Sequence, residues 1–149
     1  MSADIEELFL EGARVLTLKQ FDKALEIFNK VLEKNPTHIK ALEGRATIYI
    51  QKGEIELAEI DLKKAVNIEP ENARIYYRLG QIYYRKKDLD KALEFFTKAI
   101  DLEPTYPAAY MARSQVLREK GLEEEADLEL DKAVAVQREL AKARGVIDW

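Results

Sequence analysis

Hydrophobic positions along this chain fall three, four and seven residues apart, the spacing of one face of an α-helix, and the whole pattern restarts every 34 residues. Prolines mark the period first, at Pro36, Pro70 and Pro104. Four units result, 5–38, 39–72, 73–106 and 107–140. An alanine recurs at Ala24, Ala58, Ala92 and Ala126, followed by Phe28, Leu62, Phe96 and Leu130, then by Val31, Ala65, Ala99 and Ala133. The first half of each unit carries a column of Leu8, Leu42, Tyr76 and Tyr110 and a small column of Gly12, Ala46, Gly80 and Ser114. Between the halves lies a turn column, Lys19, Gly53, Lys87 and Gly121.

Each unit therefore reads as a helical hairpin. The first helices are expected near 5–18, 39–52, 73–86 and 107–120, and the second near 21–34, 55–68, 89–102 and from 122 onward. The small column lets the two helices of a hairpin approach closely, with the alanine column facing it. Each proline lacks an amide donor, so it ends the second helix and starts the next connection. No stretch holds a period of two, which leaves no β-strand. After Ala133 nothing interrupts the last helix before Gly145, so it can run from about 122 to 144, about 33 Å at ~1.5 Å per residue. Ala133, Val136, Leu140 and Ala143 continue its apolar stripe. A bend near 135–137 would fold this extension back as a capping helix, the arrangement the sequence leans towards; a straight helix would project and call for a partner.

The 34-residue hairpin with Leu/Tyr, small, Tyr, Ala, Phe, Ala and Pro columns resembles the tetratricopeptide repeat (TPR) pattern. Four units account for 136 of the 149 residues, and the match is strongest in the second and third. Glu11 and Arg113 stand where the family is usually apolar, and Arg138 replaces the last proline. The resemblance implies an all-α fold, a right-handed α-solenoid of four hairpins in one domain spanning 1–149, with a capping or extended C-terminal helix and a tail at 141–149. It also implies a concave groove, lined by the first helices, that binds peptides or proteins. One subclass clamps chaperone tails through five polar residues; the matching positions here are Phe9, Ala13, Gly44, Arg74 and Arg78. Only the two arginines suit that chemistry, so chaperone-tail binding is not expected.

Stepping 100° per residue along 73–86 puts Tyr76, Leu79 and Tyr83 on one side, and Arg74, Arg78, Gln81 and Arg85 within about 60° of one another on the other, flanked by Tyr77 and Tyr84. The repeat alignment assigns the first side to the core and the second to the groove. Equivalent positions contribute Lys40 and Thr47 in the second unit and Gln115 and Arg118, beside Met111, in the fourth. Charge is polarised: 73–86 carries four cations and no acid, whereas 122–131 carries six acids and no base. Arginine forks hold carboxylates bidentately and tyrosine adds rigid contact area, so the expected partner is a carboxylate-bearing protein segment. The acidic run reads as solvated helix surface matched to the helix dipole.

Composition narrows the rest. The chain is 47% hydrophobic and 35% charged, with a net charge of -4, no cysteine and one histidine. Disulfides, thiolate metal sites and cysteine nucleophiles are excluded, and no cofactor or metal is implied. His38 reads as an exposed loop residue. Ser2 lies at the terminus, Ser114 fills a packing column, and the scattered glycines form no phosphate loop, so no catalytic residue is named. Arginine beside tyrosine also stacks nucleic-acid bases, but an acidic chain lacks the usual basic footprint. No apolar run reaches the roughly 18–20 residues of a membrane span, and the acidic start lacks a secretory pattern, so the cytoplasm is the expected location. The expected function is a non-enzymatic adaptor, with self-assembly into a homodimer through the C-terminal helix as the alternative. The tail residues Val146, Ile147 and Trp149 are expected to be disordered or folded locally.

Overall fold

The structure, a computed structural model, describes residues 2–145, with side chains from Asp4 onward. Val146, Ile147 and Trp149 therefore lie outside the described residues. The helices are α1 (Ser2–Thr17), α2 (Phe21–Lys34), α3 (Ile39–Gln51), α4 (Ile55–Ile68), α5 (Ala73–Arg85), α6 (Leu89–Leu102), α7 (Pro107–Glu119) and α8 (Glu123–Ala143). Among the described residues there is no strand. This is an all-α helical repeat fold, with helix ends within a few residues of those the periodicity predicts.

The chain clusters into two compact units, Met1–Pro70 and Glu71–Trp149. In the first, α1 pairs with α2 and α3 with α4, while α2 packs on α3. In the second, α5 pairs with α6 and α7 with α8, while α6 packs on α7.

Every hairpin turns the same way. Lys19, Gly53, Lys87 and Gly121 all have a left-handed backbone, with φ of 60°, 79°, 63° and 84°. At each turn the next residue's N–H reaches back five residues to a helix carbonyl: Gln20 to Val15, Glu54 to Tyr49, Asp88 to Tyr83 and Leu122 to Leu117. These bonds satisfy carbonyls left open at a helix C-terminus. Two of the four positions are lysine, whose Cβ is crowded in this conformation.

Close approach within a hairpin depends on the small column. A Cβ added to Gly12 would stand 2.7 Å from Phe28 Cε1, and one added to Gly80 only 2.4 Å from Phe96 Cε1. Gly44 meets the same Phe28 ring from α3, at 2.8 Å. Ala24, Ala58, Ala92 and Ala126 answer from the second helices, all fully buried.

Two further columns, not named from the periodicity, are buried as well. Ala41 and Ile48 in α3, and Ala109 and Val116 in α7, are completely buried, as are Ile75 and Ile82 in α5. The equivalent residues of α1 are Glu7 and Arg14, both exposed. Besides the buried Glu43, charge enters the interior in two matching places. Arg45 forks onto Asp61 (2.7 and 2.8 Å) and reaches Asn29 of the preceding hairpin at 3.0 Å. Arg113 occupies the equivalent place, bonding one oxygen of Glu129 (2.7 Å) while Lys132 takes the other, and reaching Thr97 of the preceding hairpin at 3.3 Å. Lys52 pairs with Asp22, and Lys120 with Asp90, in the same relative positions.

Three expectations change. The acidic run is not all solvated surface, because Glu129 is buried; burial pushes its carboxyl up, but hydrogen bonds from Arg113 and Lys132 outweigh this and hold it below the usual range. α8 runs unbroken through 135–137, so no bend makes a separate cap: nothing in that stretch interrupts its hydrogen bonds, and Val136 packs on the core beside Tyr106 and Leu102. Finally, His38 is not exposed. Its side chain is 10% exposed, and its Nδ1 accepts the Ala41 N–H at 3.1 Å, capping α3. The ring lies 5.0 Å from that of Phe9, and Nε2 is 3.4 Å from Glu6.

Two stability changes are expected. Lys87→Gly removes a left-handed penalty of roughly 1–2 kcal/mol, offset by about 0.5–1 kcal/mol of glycine backbone entropy. The net gain should appear as a higher urea midpoint with an unchanged slope. Asn72 occupies the His38 column and caps α5 by accepting the Arg74 N–H. His38→Asn should therefore keep most of the stability, whereas His38→Ala loses about 1 kcal/mol in the same urea titration.

Candidate functional site

Within the second unit, α5 and α7 run side by side above α6 and α8. Between them opens a hollow of about 810 Å³, in the range of roughly 300–1,000 Å³ typical of ligand sites. Tyr77, Gln81, Tyr84 and Arg85 form its α5 wall, at helical spacing on one face. Ala108, Met111, Ala112, Gln115 and Arg118 form the α7 wall, and Phe96 and Leu130 reach the floor from the second helices. Phe96 gets there because Gly80 has no side chain in its way.

Most polar groups around the hollow are already engaged. The Tyr84 hydroxyl donates to Glu119 at 2.6 Å, a bond that raises the phenol's pKa with help from burial. The Gln81 amide donates to the Tyr77 hydroxyl at 3.4 Å. Ser114, beneath, donates to the Ala126 carbonyl at 2.7 Å. Arg118 is held by two acids, Glu123 at 3.0 Å and Asp127 at 2.8 Å. Arg85 is exposed and makes no ion pair among the described residues.

Of the ten residues named from the sequence, six line this hollow: Tyr77, Gln81, Tyr84, Arg85, Gln115 and Arg118. Arg74 and Arg78 lie on α5 outside its lining, exposed and half-buried respectively. Lys40 and Thr47 belong to the first unit; Lys40 is exposed, and the Thr47 hydroxyl turns back onto the Glu43 carbonyl at 3.0 Å. Beside Tyr77 stands half-buried Tyr106, with ring centroids 5.2 Å apart. Burial pushes its phenol up to about 12, against the pull of Arg78 and Arg74. Glu119, which the sequence reading passed over, shares the Arg85 column 34 residues on and was findable from it. The floor residues were not, since their columns read only as core.

Among the described residues, no group of His, Asp or Glu is placed to hold a metal ion, and no helix is long and apolar enough to cross a membrane. Family models described as tetratricopeptide repeat match residues 15–60 and 73–106, and one described as TPR repeat matches 46–87. The small glutamine-rich tetratricopeptide repeat-containing protein 2 of Mycosarcoma maydis is 28% identical over 103 residues, 69% of this chain and 29% of that protein. The heat shock protein STI1 of Saccharomyces cerevisiae is 30% identical over 120 residues, 79% of this chain and 20% of its own length. The chain thus spans less than a third of either curated relative. Among solved structures, a MamA crystal structure superposes with a TM-score of 0.82 at 26% identity, covering 93% of this chain and 81% of that one. MamA residues 41 to the end from Desulfovibrio magneticus RS-1 give 0.80 at 27% identity, covering 91% and 76%.

The raised phenol of Tyr106 carries an alkaline signature. An unfolded tyrosine ionises near 10.0 and the folded one near 12, so between these values the unfolded chain binds fewer protons and stability falls as pH rises. Urea titrations across that interval should show the decline in the parent chain and a flatter curve in Tyr106→Phe.

Proposed function

This chain belongs to the tetratricopeptide repeat family, and on that footing we propose that it is a non-enzymatic adaptor whose hollow between α5 and α7 binds a carboxylate-bearing segment of another protein. One observation carries the reading: an apolar floor walled by two tyrosines, with the Arg85 guanidinium exposed at its edge. Tyrosine loses little conformational freedom on binding, and arginine forks match carboxylates. The proposed location is the cytoplasm. Chaperone tails remain outside the proposal despite the heat shock relative, because the clamp positions at Phe9, Ala13 and Gly44 hold no polar donor side chain.

A second reading, self-assembly through α8, is favoured by that helix's unbroken length and by exposed Leu128 (60%) and Val134 (53%). In the adaptor reading, Arg85→Glu weakens capture of the host partner by about tenfold or more, near 1.4 kcal/mol, while thermal unfolding stays put; undiminished capture rejects it. For self-assembly, light scattering decides. A monomer at high concentration ends that idea, and a dimer abolished by Leu128→Glu with Val134→Glu supports it.

A further inference from the structure

We propose that the hollow is read through an apolar anchor: it receives one bulky apolar side chain of the partner segment, and the carboxylate beside that anchor is held by Arg85, not Arg118. This rests on the groove reading above and narrows its ligand from an acidic stretch to an apolar–acid pair.

The chemistry of the walls sets this choice. The Ser114 hydroxyl beneath the floor is turned onto a backbone carbonyl, and the Gln81 and Gln115 amides of the walls are turned to the Tyr77 and Tyr84 hydroxyls. The surfaces left at the floor are the Phe96 ring, Leu130, Ala108 and Ala112. A charged or amide group placed there would lose water without gaining a partner. Met111, 48% exposed on the wall, is a flexible and polarisable side chain that moulds to an apolar guest. The two arginines then differ. Arg118 already lies between Glu123 and Asp127, so a third carboxylate would meet two like charges held close by. Glu119, bonded to Tyr84, adds another acid in the same quarter. A run of acids is therefore repelled over much of the rim, while a single carboxylate fits at Arg85. Arg118 acts as a brace between α7 and α8.

The test is selection of random twelve-residue peptides displayed on phage against the full chain and four variants, each checked by circular dichroism for a cooperative melt. The wild-type pool should be enriched in Leu, Ile, Met or Phe with Asp or Glu within two positions. Ala112→Phe, which fills the hollow, should lose the apolar preference, and Met111→Glu provides the same check should the first variant misfold. Arg85→Gln should keep the apolar residue and lose the acid, whereas Arg118→Gln should leave both. A synthetic peptide from the wild-type pool should bind Ala112→Phe about tenfold or more weakly and Arg118→Gln within about twofold of wild type. Enrichment of acidic runs without an apolar residue overturns the anchor and leaves the groove reading standing. Loss of the acid preference in Arg118→Gln but not in Arg85→Gln overturns the assignment of the carboxylate. A pool indifferent to every hollow variant, or no enrichment at all, overturns both.

Discussion

Phe28 and Phe96 lie against helix backbone where any side chain at Gly12 or Gly80 would stand closer than atoms approach in real proteins. That contact sets the distance between the two helices of the first and third hairpins, and the completely buried alanines opposite depend on it. Interiors pack near crystal density, so such a site has no slack to absorb an added methyl. In the second unit the same ring is the floor of the hollow. The candidate site and the close approach at Gly80 thus share the Phe96 ring.

Where the repeat departs from an apolar interior it does so in a repeated way. Arg45 forks onto both oxygens of Asp61 and Arg113 closes on one oxygen of Glu129, each within its own hairpin, and each extends a further bond to the hairpin before. Removing such charges from water is costly, and the cost is met only when nearly every donor finds an acceptor. Asn29 and Thr97 supply an extra acceptor to each arginine, and both side chains keep partial access to water for their remaining donors. The outcome is a directional link between neighbouring hairpins where a leucine would give only contact area, and it occurs once inside each compact unit.

Around the hollow, charge is arranged by proximity more than by totals. The helix α5, with three arginines, faces a neighbour whose ion pairs absorb Arg118 and whose Glu119 accepts the Tyr84 hydroxyl hydrogen bond. A reading that adds up arginines expects strong attraction for acids. The paired geometry leaves a mostly apolar recess edged by two exposed guanidiniums, of which Arg118 is ion-paired and Arg85 is not, among the described residues.

Period and spacing in the chain were enough to fix the helices, their pairing into hairpins, the positions of the turns and the buried alanine columns, whereas the left-handed backbone at each turn came from the structure. The former follow from local rules: which faces are apolar, where an amide is missing, where a polar or glycine-bearing break falls. The Ala41, Ile75, Ala109 and the Ile48, Ile82, Val116 columns were equally visible at 34-residue spacing but passed unread. Only the folded chain decided that His38 caps α3 and that Glu129 is buried. It also decided that α8 continues unbroken through 135–137, and that six of the ten named groove residues gather around one hollow while Lys40 and Thr47 lie in the other unit. Each of these turns on which side chain meets which across residues distant in sequence, and a repeat pattern says where a residue points without saying what already occupies the space it points into.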